Sequence, residues 1–222
     1  MHGSAAGRKV IRKKRGQRDS NASRAAILQA ALNEFSSAGY EGARVDRIAE
    51  KAGVSKPLLY DYFGDKDDLY AAALREAYVQ IREAELELSL EELAPREAIH
   101  ELVVFTFRHF RRHPWFIAML NTENLRGGGT VTRLHDRHEI QSKLLLALDD
   151  VLARGKRENI FHRDISPVRL YLIIASLCYF PVSNRFTLAA IFDLDWGDEE
   201  FGQHAETVAE IVNTWLTSER AG

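Results

Sequence analysis

Apolar residues recur at spacings of three and four positions along most of this 222-residue chain. That is the period of an amphipathic helix, in which such positions share one face. No segment alternates apolar and polar residues over five or more positions, as a half-buried strand would. The sequence therefore predicts an all-α fold of about nine helices and excludes the architectures that are built on a sheet.

The first 66 residues predict three helices. The first is expected to begin after Ser20 or Asn21 and to end at Gly39, where a left-handed backbone is favoured. Two short helices follow on either side of a turn at Gly53, with Ser55 as the cap of the second. Two short helices around a glycine turn form the helix-turn-helix pattern.

The rest of the chain predicts six further helices. The fourth is expected to begin at Asp65, with Asp68 completing a carboxylate version of the capping box. Ser166 followed by proline is a strong start for a nearly all-apolar helix. The six spans are 65–88, 95–114, 114–125, 131–154, 168–183 and 203–218, and the apolar stretch 186–196 stays unassigned.

Charge is distributed very unevenly between the two parts of the chain. Residues 1–66 carry 13 Lys and Arg against 7 Asp and Glu, a net charge of +6. Residues 67–222 carry 17 against 25, a net charge of −8, and the two parts add up to the total of −2. A basic head on an acidic body predicts a nucleic-acid or other anionic partner for the head.

The most basic segment lies at the N-terminal end. It runs from Arg8 to Arg18 with seven basic residues, no acidic residue and too few apolar residues to fold alone. We expect a flexible arm over 1–19, a DNA-binding head over 20–66 and a helical body over 67–222. The arm either contacts phosphates or is a solvated tail. A secretory signal is excluded because no apolar stretch follows, while an organelle transit peptide is still conceivable.

One set of positions within residues 24–70 forms a recognisable pattern, namely Phe35, Gly39-Tyr40, Val45, Ile48-Ala49, Ala52-Gly53-Val54-Ser55-Lys56, Leu59-Tyr60, Tyr62-Phe63, Lys66 and Leu69-Tyr70. With these positions the segment resembles the DNA-binding domain of the tetracycline-repressor (TetR) family. The resemblance implies a C-terminal helical ligand-binding and dimerisation domain. It also implies a homodimer, formed mainly through the eighth and ninth helices, that binds a palindromic double-stranded DNA operator and is released by a small-molecule effector of unknown identity.

The third helix carries the predicted contacts with DNA bases. Lys56 can donate to a guanine edge or to a phosphate. The resemblance implies that Tyr60, Tyr62 and Lys66 lie against the DNA backbone, with Lys66 and the start of the fourth helix holding one phosphate. Arg44 can contact phosphate but cannot cap the second helix. The full predicted DNA-binding set is Arg44, Ser55, Lys56, Pro57, Tyr60, Tyr62 and Lys66.

The resemblance also implies an effector pocket in the acidic body. Aromatic and hydrogen-bonding side chains that could line it are Phe105, His109, Trp115, Met119, Tyr171 and Tyr179. Such a lining would suit a moderately apolar organic effector with one or two hydrogen-bonding groups. The competing interpretation of each residue is ordinary core packing.

Other candidate sites are weaker. Two histidine pairs have metal-ligand spacing, His109 with His113 and His135 with His138, but no carboxylate signature accompanies them, so neither a metal nor a cofactor is expected. The stretch Gly127-Gly128-Gly129-Thr130 lacks the lysine of a phosphate-binding loop and predicts a plain connection. The single cysteine, Cys178, is expected in the core. No catalytic signature appears, so the chain is not expected to be an enzyme.

The resulting hypothesis is a cytoplasmic, ligand-responsive repressor, with no apolar run near the ~20 residues of a membrane span. An activator would have the same sequence features. The alternative from another class is a helical small-molecule-binding or catalytic protein with a vestigial DNA-binding head.

Overall fold

The computed structural model describes residues 5–194 and 197–219, with side chains described from residue 20 onward. Those ranges hold eleven helices and no strand, so the all-α prediction is confirmed. The helices are α1 Ala5–Gly42, α2 Val45–Ala52, α3 Lys56–Phe63, α4 Lys66–Leu86, α5 Pro95–Arg112, α6 Pro114–Leu125, α7 Gly129–Arg133, α8 Arg137–Arg157, α9 Pro167–Ser183, α10 Arg185–Phe192 and α11 Asp198–Thr217.

The first helix is longer than predicted at its N-terminal end. It begins at Ala5, so the segment expected as a flexible arm is helical over residues 5–19, and Ser20 and Asn21 lie inside α1 rather than capping it. Lys and Arg are good helix formers, and extending a helix costs much less than starting one. The predicted break at Gly39 is confirmed by its φ of 66° and ψ of 179°.

Three predicted helix starts are confirmed by hydrogen bonds. Ser55 and Ser166 each accept from the backbone N–H three residues on, at 3.4 Å. Asp65 Oδ1 accepts from the Asp68 N–H at 2.9 Å, and Asp68 Oδ2 accepts from the Asp65 N–H at 3.3 Å. These bonds fix the starts of α3, α9 and α4.

Two helices come in addition to the predicted nine. The segment predicted as one helix over 131–154 is interrupted after Arg133, where Leu134 is extended and buried, which separates α7 from α8. Most of the unassigned stretch 186–196 belongs to α10, while Asp195 and Trp196 lie outside the described residues. The apolar period did not reveal the break at Leu134, because this residue keeps a buried apolar side chain although its backbone leaves the helix.

The chain divides into two compact units. The first comprises residues up to 77 together with 118–134, and the second comprises residues 78–117 and the chain from 135 onward. The first unit extends beyond the expected boundary at residue 66 because Tyr70 packs edge-on against Phe35 and Tyr40, with ring centroids 5.0 and 5.2 Å apart. Both α4 and α6 contribute residues to the two units.

Candidate functional site

The turn between α2 and α3 is built around a left-handed glycine. Gly53 has a φ of 67° and a ψ of 30°, a conformation that costs a glycine little. Its N–H donates to the Glu50 carbonyl at 3.1 Å, and the Val54 N–H donates to the Ala49 carbonyl at 3.0 Å. The turn therefore ends α2 with its last carbonyls paired and sets the direction of α3.

The helix α3 has one buried and one exposed face. Leu59 is fully buried and Phe63 nearly so, together with Phe35 and Ile48 of the same unit. The neighbouring Leu58 is exposed. The exposed face of α3 carries the predicted base-contacting residues, which are Ser55, Lys56, Pro57 and Tyr60.

Lys56 has an acidic neighbour on α2. Its Nζ lies 2.6 Å from Asp46 Oδ1 and 5.9 Å from the centre of the Tyr60 ring. This contact raises the pKa of Lys56 and lowers the pKa of Asp46. Both side chains are about half exposed, so the pair is weak and a phosphate or a base edge can replace the carboxylate.

Tyr62 and Lys66 are anchored by contacts within the head. The Tyr62 hydroxyl donates to Ser20 Oγ at 3.1 Å, and the backbone carbonyl of Tyr62 accepts from Arg24 Nη1 at 3.2 Å. Lys66 Nζ donates to the Glu41 carbonyl at 3.4 Å, at the start of α4 where a phosphate contact was predicted. In the described first unit, six of the seven predicted DNA-binding residues thus lie on α3 or at the starts of α2 and α3, and the seventh, Lys66, begins α4.

The start of α2 is stabilised by a residue that sequence reasoning missed. Arg44 is the N-cap and makes no side-chain capping bond, as predicted. The Glu34 carboxylate on α1 accepts from the Arg44 N–H at 3.3 Å and from Lys51 Nζ at 3.0 Å. Burial alone would raise the pKa of Glu34, but the bonds from Lys51 and Arg44 outweigh it and lower the pKa. Glu34 thus holds the backbone of the residue before α2, although it does not accept from the N–H groups that an N-cap side chain would bind.

Sequence reasoning also missed Arg126, which stacks on an aromatic ring of the first unit. Its guanidinium lies 3.5 Å above the Tyr40 ring and 3.5 Å from Asp67 Oδ1. Tyr40 donates to Asp67 at 2.5 Å, and burial together with this bond raises the pKa of Tyr40 to about 12. The residues involved are far apart in sequence, and no local motif marks them.

The predicted effector residues are distributed over both units. In the second unit, the His109 ring lies 5.5 Å from Phe105 and 4.2 Å from His113, which in turn lies 5.8 Å from Trp115. Tyr179 packs on Phe110 at 6.2 Å. Met119 is fully buried and belongs to the first unit. The structure therefore connects Phe105, His109 and Trp115 through ring contacts.

The Tyr171 hydroxyl contacts a buried pair of ionisable side chains on α4 that sequence reasoning missed. The hydroxyl accepts from Arg82 Nη2 at 2.5 Å, and Arg82 Nη1 lies 2.8 Å from Glu85 Oε2. Arg82 and Glu85 are 5% and 1% exposed. A clue was available in the helical period, since Arg82 and Glu85 are an i, i+3 pair beside the inward-facing Ile81 of α4.

A cavity of about 540 Å³ lies elsewhere in the second unit, between α5 and α11. It is lined by Arg108, Arg111 and Arg112 opposite Phe201 and Asp198, and by none of the six predicted effector residues. Arg111 pairs with Asp198 and lies over the Phe201 ring. Its charged lining is therefore already partly paired within the protein.

The remaining candidates have packing roles. Cys178 is buried, its thiol lies 3.7 Å from the Val103 carbonyl, and burial raises its pKa to about 12. The Glu123 carboxylate accepts from the Thr130 and Val131 N–H groups, so the protein's own anion occupies the start of α7 after the three glycines. Among the described residues, no group of three or more His, Cys, Asp or Glu is placed to hold a metal ion.

No single helix within residues 5–194 and 197–219 is long and apolar enough to cross a membrane. In the part of the chain that the structure describes, one pair of helices, α9 and α10, has that length and composition when taken together, and the two are bent by 65° at their junction.

Comparison with known proteins places both parts of the chain in one family. Residues 27–73 match the family model of bacterial regulatory proteins of the tetR family, and residues 95–212 match the tetracyclin repressor-like C-terminal domain. The second match alone spans more than half of the 222 residues.

Relatives and solved structures agree with these matches. The transcriptional repressor NicS of Pseudomonas putida is 34% identical over 174 residues, which is 78% of this chain and 82% of NicS. The regulator RutR of Escherichia coli K12 is 40% identical over 107 residues, 48% of this chain and half of RutR. A TetR family regulator from Marinobacter aquaeolei has the same fold, with a TM-score of 0.66 at 20% identity, and the match covers 87% of this chain and 97% of that one. The chain therefore belongs to the TetR family of helix-turn-helix transcriptional regulators.

Proposed function

We propose that this DNA-binding regulator acts as a homodimeric repressor that binds a palindromic operator and is released by a small organic effector. Repression is supported by the similarity to NicS, which is named a transcriptional repressor. In the proposed complex each protomer inserts α3 into the major groove. Two heads about one helical turn apart, or a multiple of it, would then read two half-sites.

One observation carries the DNA-binding part of this proposal, namely the two-faced character of α3. Its inner face is held by Leu59 and Phe63, while Ser55, Lys56 and Tyr60 are exposed on a unit with a strongly basic sequence. Lys56 would exchange Asp46 for a guanine edge or a phosphate. Lys66 and Arg44 would fix the register through phosphates, as basic residues at helix starts do.

The dimer surface is proposed on the second unit. The two helices that the resemblance implies for the dimer, 168–183 and 203–218, correspond to α9 and α11. Large apolar side chains are exposed on both of them and on α10, which is unusual in number for a monomeric protein. They are Val168, Leu172, Ile173, Leu177, Phe180, Phe186, Ile191, Phe192, Ile211 and Trp215. Pairing of these faces across a two-fold axis would remove the apolar surface from water and hold two heads at a fixed separation.

The effector would act by selecting one conformation of the dimer. An effector that binds better when the heads are wrongly spaced shifts the population away from DNA. The helix α4 begins at Lys66 in the first unit and carries Arg82 and Glu85 in the second. A rearrangement around that buried pair would thus act on the same helix that holds a proposed phosphate contact.

Lys56→Ala tests the DNA-binding face directly. We expect its affinity for an operator selected from random DNA to fall about tenfold, since one charge-assisted contact is lost per half-site. The fold should not change, because the Lys56 side chain is half exposed. The measurement is a gel-shift titration, with circular dichroism to verify folding.

The matched control is Lys143→Ala, which removes an exposed lysine from the second unit. It should bind the operator as tightly as the parent protein. Equal affinities of the parent, Lys56→Ala and Lys143→Ala would refute the assignment of α3 as the reading helix.

A further inference from the structure

The first unit contains an arginine that comes from outside the predicted DNA-binding head. Arg126 follows the end of α6, in the segment 118–134, whereas the head was expected to end at residue 66. Its side chain is 29% exposed and reaches Glu41 near the end of α1 and Asp67 at the start of α4. The first unit therefore brings a residue of the later chain to the helix start where a phosphate contact is proposed.

The backbone around Arg126 is held in place by hydrogen bonds. The Arg126 N–H donates to the carbonyls of Thr122 and Glu123 at 3.2 and 3.1 Å. The Glu123 carboxylate, which is almost fully buried, accepts from the N–H groups of Thr130 and Val131 at 2.7 and 3.1 Å. These bonds close the turn between α6 and α7, so Arg126 extends from a well-bonded turn and not from a free loop.

The Arg126 guanidinium contacts an aromatic ring and two carboxylates. Its central carbon lies 3.5 Å from the centre of the Tyr40 ring, and its nitrogens lie 3.5 Å from Asp67 Oδ1 and 3.6 Å from Glu41 Oε1. The Glu41 side chain is 91% exposed and the Asp67 side chain about half exposed, so solvent screens the contact with Asp67 less. Asp67 is thus the main electrostatic partner of Arg126.

Lys66 lies against the same aromatic ring. Its Nζ is 4.8 Å from the centre of the Tyr40 ring and donates to the Glu41 carbonyl at 3.4 Å. Lys66 and Asp67 are consecutive residues in the first turn of α4, so a phosphate held by Lys66 would come close to the Asp67 carboxylate. Like charges repel at such separations, and an uncompensated Asp67 would oppose the phosphate contact.

We infer that Arg126 is a positioning residue for the phosphate contact at the start of α4. It neutralises Asp67 and holds the Tyr40 ring against which Lys66 lies. Arg126 does not contact DNA itself, because its guanidinium is already shared between Tyr40, Asp67 and Glu41. The inference rests on the proposed phosphate contact of Lys66. It assigns part of the affinity for DNA to the turn between α6 and α7.

Gel-shift titrations of Arg126→Met with an operator selected from random DNA test this role. Methionine keeps an unbranched side chain and removes the charge. We expect the affinity to fall about tenfold at low salt, since each of two half-sites loses about threefold. The loss should shrink when the salt concentration rises from about 0.05 to 0.3 M, because screening weakens the repulsion by Asp67. A purely structural role of Arg126 would give a loss that does not depend on salt.

Removal of the Asp67 charge gives the sharpest comparison. Asp67→Asn keeps an oxygen that can accept from Tyr40 but is neutral, so it should bind the operator about two- to threefold more tightly than the parent. In the double variant Arg126→Met/Asp67→Asn, measured against Asp67→Asn, the loss due to the methionine should fall from about tenfold to about twofold. The matched control Arg133→Met removes an exposed arginine from α7 and should bind as tightly as the parent.

Arg126→Lys keeps the test decisive if Arg126→Met does not fold, as judged by circular dichroism. Lysine retains the charge without the flat guanidinium, so the affinity should stay within about threefold of the parent. A loss of about tenfold in Arg126→Lys, or weaker binding by Asp67→Asn, would contradict the inference. So would parent-like affinity of Arg126→Met, an equal loss in Arg133→Met, a loss that is the same at both salt concentrations, or an equal loss with and without the Asp67 charge.

Lys66→Ala is measured in parallel, because it separates this inference from the proposed function. It should weaken operator binding about tenfold, as expected for a lost phosphate contact in each half-site. Parent-like binding of Lys66→Ala would contradict the proposed phosphate contact. Weakened binding of Lys66→Ala together with any of the contradicting results above would refute the role of Arg126 alone.

Discussion

Replacing Phe180 with aspartate is expected to convert the protein from a dimer to a monomer and to weaken operator binding about 100-fold or more. The reason is that two linked heads gain roughly 10²–10⁴ in apparent affinity over one. Phe180 is 59% exposed on α9, beside Leu172 and Leu177, which are also exposed. A charge placed there costs much less in a monomer, where the side chain is mostly exposed, than at the proposed interface, where it would be buried.

Mass and affinity are measured together, by analytical ultracentrifugation and gel shift. The matched control is Leu125→Asp, since Leu125 is 90% exposed but belongs to the first unit and not to the proposed dimer surface. This control should stay dimeric. A Phe180→Asp protein that sediments as a dimer, or a control that dissociates equally, would show that the dimer forms through another surface.

Replacing Glu34 with alanine is expected to have the second large effect, which is a loss of folding stability. Glu34 is 2% exposed, and its carboxylate accepts from the Arg44 N–H and from Lys51. Hydrogen bonds to a charged group contribute about 1.5 kcal/mol or more each, so the loss should be about 2–3 kcal/mol. For a chain of this size that corresponds to a melting temperature about 5–10 °C lower.

The pH dependence gives an independent check on Glu34. Its pKa in the folded protein is below the ordinary value of 4.5, so the carboxylate stabilises the fold above that pH. The contribution is lost as pH falls through the folded pKa. The stability difference between parent and Glu34→Ala, measured by urea unfolding, should therefore be full at pH 7 and shrink in acid below about 4.5.

The control for this variant is Glu50→Ala, which removes an exposed glutamate from α2. Its stability should stay within about 0.5 kcal/mol of the parent. A Glu34→Ala protein as stable as this control at pH 7 would mean that Glu34 does not support the start of α2.

Local features of the chain could be predicted from the sequence because their causes are local. The break at Gly39, the turn at Gly53 and the caps at Ser55, Asp65 and Ser166 each depend on residues within a few positions. A glycine that adopts a left-handed backbone, or an oxygen that accepts from the third N–H onward, acts within a single turn. The position of α3 was predictable for the same reason.

The parts that could not be predicted depend on contacts between distant residues. Glu34 reaches the start of α2 ten residues away, and Arg82 reaches Tyr171 across 89 residues. Arg126 stacks on Tyr40 from a separate segment of the first unit. Helical periodicity gives the face of a side chain but not its partner on another helix. The start of α1 at Ala5 was missed because helix extension, unlike a cap, leaves no residue signature.

Selection of bound sequences from random double-stranded DNA, using the 222-residue protein, tests the central claim most directly. A dimer that presents two α3 helices should enrich a palindromic consensus whose half-sites are about 10 base pairs apart, or a multiple of that spacing. Lys56→Ala should enrich it poorly under the same conditions. No enrichment over random DNA, or a consensus without two-fold symmetry, would contradict the account of this chain as a homodimeric operator-binding regulator.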